Sequence, residues 1–165
     1  MDTMIFVYHF LSSSRGKNLA SKSNSFLRDI ENGKYIGIIT TFTIAEYLGV
    51  IKGVLCNKRN KQVSVGEIMV IKARFEQFIT QIGIMLYDSD SLASKKPIFS
   101  ECEDVVERST AFKGRYDRKW HHVKGADALH VALALSVNAE AIATFDDDFR
   151  GIDGSISPLM LSEVY

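Results

Sequence analysis

The sequence has 165 residues, 46% of them hydrophobic and 24% charged, which suits one folded domain with its own core and excludes a disordered chain. Its 20 basic and 20 acidic side chains cancel, so the global field of a strongly basic nucleic-acid binder is excluded and any RNA affinity has to come from local patches. Cys56 and Cys102 are read as free thiols of a reducing compartment. No apolar run approaches the roughly 20 residues that span a bilayer, and the opening stretch has no basic leader, so a cytoplasmic protein without membrane contact is expected.

Short apolar runs alternate with longer helical patterns, which predicts an α/β fold with a parallel sheet covered by helices. The run Met4-Ile5-Phe6-Val7-Tyr8 is compatible with a buried strand or a helical turn. Residues 18–30 read as a helix with a polar face, and after Asn32-Gly33 residues 35–40 read as a short buried strand. A helix is expected over 43–55 and another over 63–82, where Ile68, Ile71, Phe75, Phe78, Ile79 and Ile82 recur at helical spacing before a strand at 84–87. Residues 101–112 follow as a polar helix and 113–124 as a basic loop. Residues 126–137 are apolar on nearly every side and predict a buried helix. A strand at 141–144 and an edge strand within 158–165 complete the chain, which carries neither a repeat nor a low-complexity linker.

Three acids fall where a parallel sheet would present one edge. Glu46 follows the 35–40 strand, Asp127 opens the buried helix, and Asp146 follows the last interior strand in Thr144-Phe145-Asp146-Asp147-Asp148-Phe149. Ligands of open α/β sheets gather at the carboxyl ends of strands. Consecutive carboxylates repel one another, and hard oxygen donors from several elements are what Mg²⁺ or Mn²⁺ requires, with water and phosphate completing the shell. Each acid also has a purely structural reading. Asp127 can serve its helix dipole, worth about 0.3–1 kcal/mol. Asp146 can cap a short helix, and Thr43 to Glu46 has the spacing of a capping box. Asp2 can be a solvated terminal residue.

Four segments in this order resemble the PIN-domain family, in particular its single-domain VapC-type toxins and their archaeal relatives. They are Asp2-Thr3-Met4-Ile5-Phe6-Val7-Tyr8, Thr41-Phe42-Thr43-Ile44-Ala45-Glu46, Lys124-Gly125-Ala126-Asp127-Ala128-Leu129-His130-Val131-Ala132 and Ala143-Thr144-Phe145-Asp146-Asp147-Asp148-Phe149. The resemblance covers nearly the whole chain. It implies one three-layer α/β/α PIN-like domain over 1–165, a central parallel sheet flanked by helices. It further implies Asp2, Glu46, Asp127 and Asp146 as the four acids, Asp148 as an accessory acid and Thr144 as a hydrogen-bonding member of the cluster. The chain departs from the family pattern in having only Met1 before Asp2 and Met4 where Asn is usual.

The implied activity is a Mg²⁺- or Mn²⁺-dependent endoribonuclease acting on RNA phosphodiester bonds. The toxin role, a cognate antitoxin and a homodimer are implied by the resemblance alone. In the basic stretch, Arg115, Arg118, Lys119, Trp120 and Lys124 are candidate RNA contacts, with Tyr116 and Trp120 able to stack bases. A solvated loop is the alternative there. His130 shares a helix face with Asp127, but a hydrogen-bonded core histidine is the simpler reading. Adjacent His121 and His122 make a poor metal cage. Two rival functions stay open. One is a catalytically impaired PIN-like module that binds RNA or protein. The other is a phosphatase of the haloacid dehalogenase type, suggested by Asp146-x-Asp148 but placed at the wrong end of the chain.

Overall fold

The computed structural model describes residues 1–11, 17–114 and 117–165. They divide into two units, one formed by Met1–Asp2 with Asp88–Val164 and the other by Thr3–Tyr87 with Tyr165. The architecture is α/β, with a parallel strand pair in each unit.

In the Thr3–Tyr87 unit, helix α1 (Met4–Phe10) comes first. The apolar run there is helical, not extended: the Thr3 carbonyl accepts from Phe6 and Val7 N–H at 3.1 and 3.2 Å. Ile5, Phe6 and Val7 are all buried. Helix α2 (Lys17–Glu31) packs on α1, and Ser23 Oγ donates to the Ile5 carbonyl at 2.5 Å. It stops at Gly33, whose φ of +75° lets Gly33 and Lys34 N–H reach back to the carbonyls of Ile30 and Asp29.

Strand β1 (Ile38–Thr40) is shorter than the 35–40 run, because residues up to Gly37 are spent on leaving α2. A Cβ on Gly37 would stand 2.9 Å from Ile84 Cγ1, so this approach to the next strand is open only to glycine. Helix α3 (Thr41–Arg59) begins directly after β1 and ends on Asn60 in the left-handed region. Helix α4 (Val65–Gln81) starts with a capping box in which Ser64 Oγ accepts from Glu67 N–H while Glu67 Oε2 accepts from Ser64 N–H. Strand β2 (Met85–Tyr87) then pairs parallel with β1, Ile39 opposite Leu86. The core here is aromatic: Tyr47 stacks on Phe75 at 4.3 Å between ring centres, and Phe6 meets Phe75 edge-on at 5.0 Å.

In the other unit, α5 (Ser89–Ala93) precedes α6 (Ile98–Arg108), which opens after Pro97, earlier than residue 101. The segment 113–124 is not a plain loop. Strands β3 (Phe112–Lys113) and β4 (Trp120–His121) form a small antiparallel hairpin, with Phe112 opposite His121 and Lys113 opposite Trp120. Two-residue strands are too short to leave an alternation in the sequence. Helix α7 (Gly125–Ser136) is buried along much of its length, as its composition predicts. Strand β5 (Ala141–Thr144) leads through a 3-10 helix at Asp147–Gly151 to β6 (Ser157–Met160), with which it pairs in parallel. The chain turns into helix α8 (Leu161–Val164) where an edge strand was expected to continue. Val105, Val123, Ala128, Val131, Ile142, Phe149 and Ile156 form this unit's core and fix the ends of α7 and β5.

Candidate active site

Thr144 ends β5 fully buried, and its hydroxyl joins two of the expected acids. Thr144 Oγ1 donates to Asp2 Oδ2 at 2.7 Å and accepts from Asp146 N–H at 2.9 Å. Asp2 is itself held at the strand end, because its N–H donates to the Ala143 carbonyl at 2.9 Å. It is buried and not the frayed residue that a terminal position suggests. Asp146 Oδ1 accepts from Asp148 N–H at 2.9 Å, so the capping role anticipated for it is real.

Asp127 lies in the first turn of α7, half-buried, with Oδ2 accepting from Lys124 N–H at 3.1 Å. Burial pushes its carboxyl above the ordinary carboxylate range, and the charges of Asp146 and Asp148 push in the same direction against the pull of Lys124. Asp148 is buried, and both its oxygens are engaged. Oδ1 meets His121 Nδ1 at 2.8 Å, and Oδ2 takes the Lys124 ammonium. Burial raises the Asp148 carboxyl, but the two cationic partners outweigh it and hold it below the usual range. His121 is pushed up, first by Asp148 and further by Asp117, whose Oδ2 lies 3.0 Å from Nε2.

Asp2, Asp127, Thr144, Asp146 and Asp148 therefore belong to one unit and are tied together by hydrogen bonds or by charge. Glu46 belongs to the other unit. It sits in the second turn of α3, because the helix begins at Thr41, so the capping-box reading of Thr43 and Glu46 is corrected. There it accepts from Thr3 Oγ1 at 2.8 Å.

Of the RNA candidates, Arg118 and Lys119 are exposed at the hairpin turn, Arg118 with φ +57°. Trp120 is 67% exposed on the strand face opposite His121. The Lys124 ammonium is directed onto Asp148. Arg115 and Tyr116 lie outside the described residues. Sequence reasoning missed the contact of His121 with Asp148. No local pattern signals it, since the two residues stand 27 positions apart. His130 is buried on α7, as a core histidine would be.

Oxygen donors that repel one another beside a half-buried carboxyl suit a hard divalent cation. Among the described residues no three His, Cys, Asp or Glu side chains are grouped closely enough to enclose an ion by themselves.

An α/β chain with acids gathered at the end of a parallel strand belongs to the class of proteins suited to phosphate chemistry. The family model of the PIN domain matches residues 1–155, and the chain belongs to this family, a nuclease superfamily whose members generally use divalent metal ions. No curated protein and no solved structure matches the chain closely enough to be counted as a relative. No helix among the described residues is long and apolar enough to cross a membrane.

Proposed function

We propose that the protein is a Mg²⁺- or Mn²⁺-dependent endoribonuclease. The observation that carries this reading is the Thr144 hydroxyl, which ties the Asp2 carboxylate to the Asp146 backbone, in the same unit as an Asp127 whose carboxyl is made harder to ionise by burial and by the charges of Asp146 and Asp148. Asp2, Asp127 and Asp146 would hold the cation, and Glu46 is proposed as a further acid on the strength of its motif. A bound divalent cation supplies a more acidic water and neutralises charge that develops on a phosphate.

The chain's own groups do the rest. Thr144 fixes the aim of Asp2, the 3-10 turn fixes Asp146, and the α7 N-terminus fixes Asp127. Arg118, Lys119 and Trp120 are proposed to bind the RNA strand through phosphate charge and base stacking. The match over 1–155 spans residues of both units, which supports reading 1–165 as one PIN domain. The two free thiols support a cytoplasmic address. A toxin role with a cognate antitoxin, and a homodimer, are proposed on the family resemblance. The test is Asp146→Asn and Asp2→Asn in a cleavage assay on single-stranded RNA: both should lose cleavage while melting near the wild type. Cleavage retained by either folded variant would remove that residue from the site.

A further inference from the structure

The PIN reading leaves Lys124 unexplained. It is the N-cap of α7, a position that favours Ser, Thr, Asp or Asn and lies at the positive end of the helix dipole, where a cation is unfavourable. Local helix stability therefore gives no reason for a lysine there. Its side chain is 60% exposed, yet its ammonium is not spent on solvent: it is paired with Asp148 Oδ2. The charges of Asp127 and Asp146 act on it as well. The ammonium thus contacts Asp148 and lies in the field of two further carboxylates. Asp148 Oδ1 is served separately, by His121 at 2.8 Å.

We propose that Lys124 is a resident counter-cation that takes the electrostatic place of a second divalent ion on the Asp148 side of the cluster. Resting on the metal-dependent reading above, this has the site take up one divalent ion, not two. A lysine suits the role. It is a compact point charge on a flexible stem, and it neutralises carboxylates without demanding the coordination geometry of a metal. The Asp148 oxygens are then committed to His121 and Lys124, and the ion is left to Asp2, Asp127 and Asp146.

The test is Mn²⁺ binding to the metal-free full chain, counted by calorimetry and by the loss of the free Mn²⁺ paramagnetic resonance signal. Lys124→Met should bind one more Mn²⁺ per chain than the wild type, or bind Mn²⁺ about tenfold more tightly, the scale of one unit charge removed at close range in a partly solvated site. Lys124→Arg, which keeps the charge, should behave as the wild type. Lys124→Gln keeps a hydrogen-bond donor for Asp148 without the charge; it should show the same gain as Lys124→Met and replaces it if that variant unfolds. Equal counts and affinities in wild type, Met and Gln variants overturn the proposal, and Lys124 is then simply the partner of a buried aspartate. The counts also separate this idea from the reading it rests on. A wild type that binds Mn²⁺ with no gain in the variants overturns the lysine role and leaves the nuclease reading standing. A wild type that binds none while Lys124→Met gains an ion overturns the metal-dependent reading and, with it, the single-ion site in which Lys124 replaces a second ion. No binding in any of them overturns both.

Discussion

Asp127→Asn separates the catalytic from the structural reading of a single residue. The side chain keeps its shape, and its oxygen can still accept from Lys124 N–H. What disappears is the charge. The folded-state carboxyl is raised by burial and by Asp146 and Asp148 more than Lys124 lowers it, so at neutral pH the ionised form opposes folding. The sign follows directly. Below the ordinary carboxylate range Asp127 is neutral in both folded and unfolded chains and opposes nothing; as pH rises through that range, the penalty grows to its full value above the raised folded pKa. The variant forgoes about 0.3–1 kcal/mol of helix-dipole stabilisation. Each tenfold change in proton affinity corresponds to about 1.4 kcal/mol, and in a domain of this size each kcal/mol moves the melting temperature by about 2–4 °C. The metal-free variant should therefore melt at or a few degrees above the wild type at neutral pH. It should lose that advantage in acid and should not cleave RNA. Thermal unfolding in EDTA across pH, paired with cleavage in Mn²⁺, makes the measurement. A neutral-pH melting point several degrees lower together with full activity would refute the reasoning and return Asp127 to a helix-end role.

Other consequences can be measured separately. Thr144→Val keeps the volume but removes the hydroxyl that donates to Asp2 and accepts from Asp146 N–H; at about 0.5–1.5 kcal/mol for each hydrogen bond lost, chemical denaturation should show a loss of that order, and cleavage should fall with it. His121 is raised by Asp148, so it contributes stability below its ordinary value of 6.5 that is lost as pH rises through the higher folded value. His121→Ala should accordingly destabilise more at mildly acidic than at alkaline pH, and a pH-independent difference would contradict the pairing. Trp120→Ala should leave the melting point unchanged, because the ring is exposed, and should weaken single-stranded RNA binding by about 1–3 kcal/mol if it stacks one base. Unchanged binding would make the hairpin a solvated edge. Ser64→Ala removes the α4 capping box and should cost about 1 kcal/mol in a denaturant titration without touching cleavage.

The sequence disclosed the parts of this protein that depend on short-range pattern. The 18–30, 63–82 and 126–137 helices and the 141–144 strand fall within a few residues of those observed, because each has a strong period or a clear stop such as Gly33. The acids after β5 and at α7 were legible for the same reason: they abut apolar runs. Long-range contact decided what was not legible. Whether Met4 to Tyr8 forms strand or helix depends on burial against α2 and α3, which a run of apolar residues does not encode. The β3–β4 hairpin, two residues per strand, is held in part by His121 reaching Asp148 across 27 positions and by stacking on Phe112. Thr144 reaching Asp2 across 142 positions is likewise invisible to any local window. The Ser64 and Glu67 capping box was there to be read, and marks the α4 start that periodicity placed two residues early.

Cleavage of single-stranded RNA by the metal-free chain, with Mg²⁺, Mn²⁺ or excess EDTA added, tests the central claim most directly. The account predicts cleavage with either cation, none in EDTA, and recovery when Mn²⁺ is restored in excess of the chelator. Cleavage that persists in EDTA, or none with either cation from a fully folded chain, would contradict it.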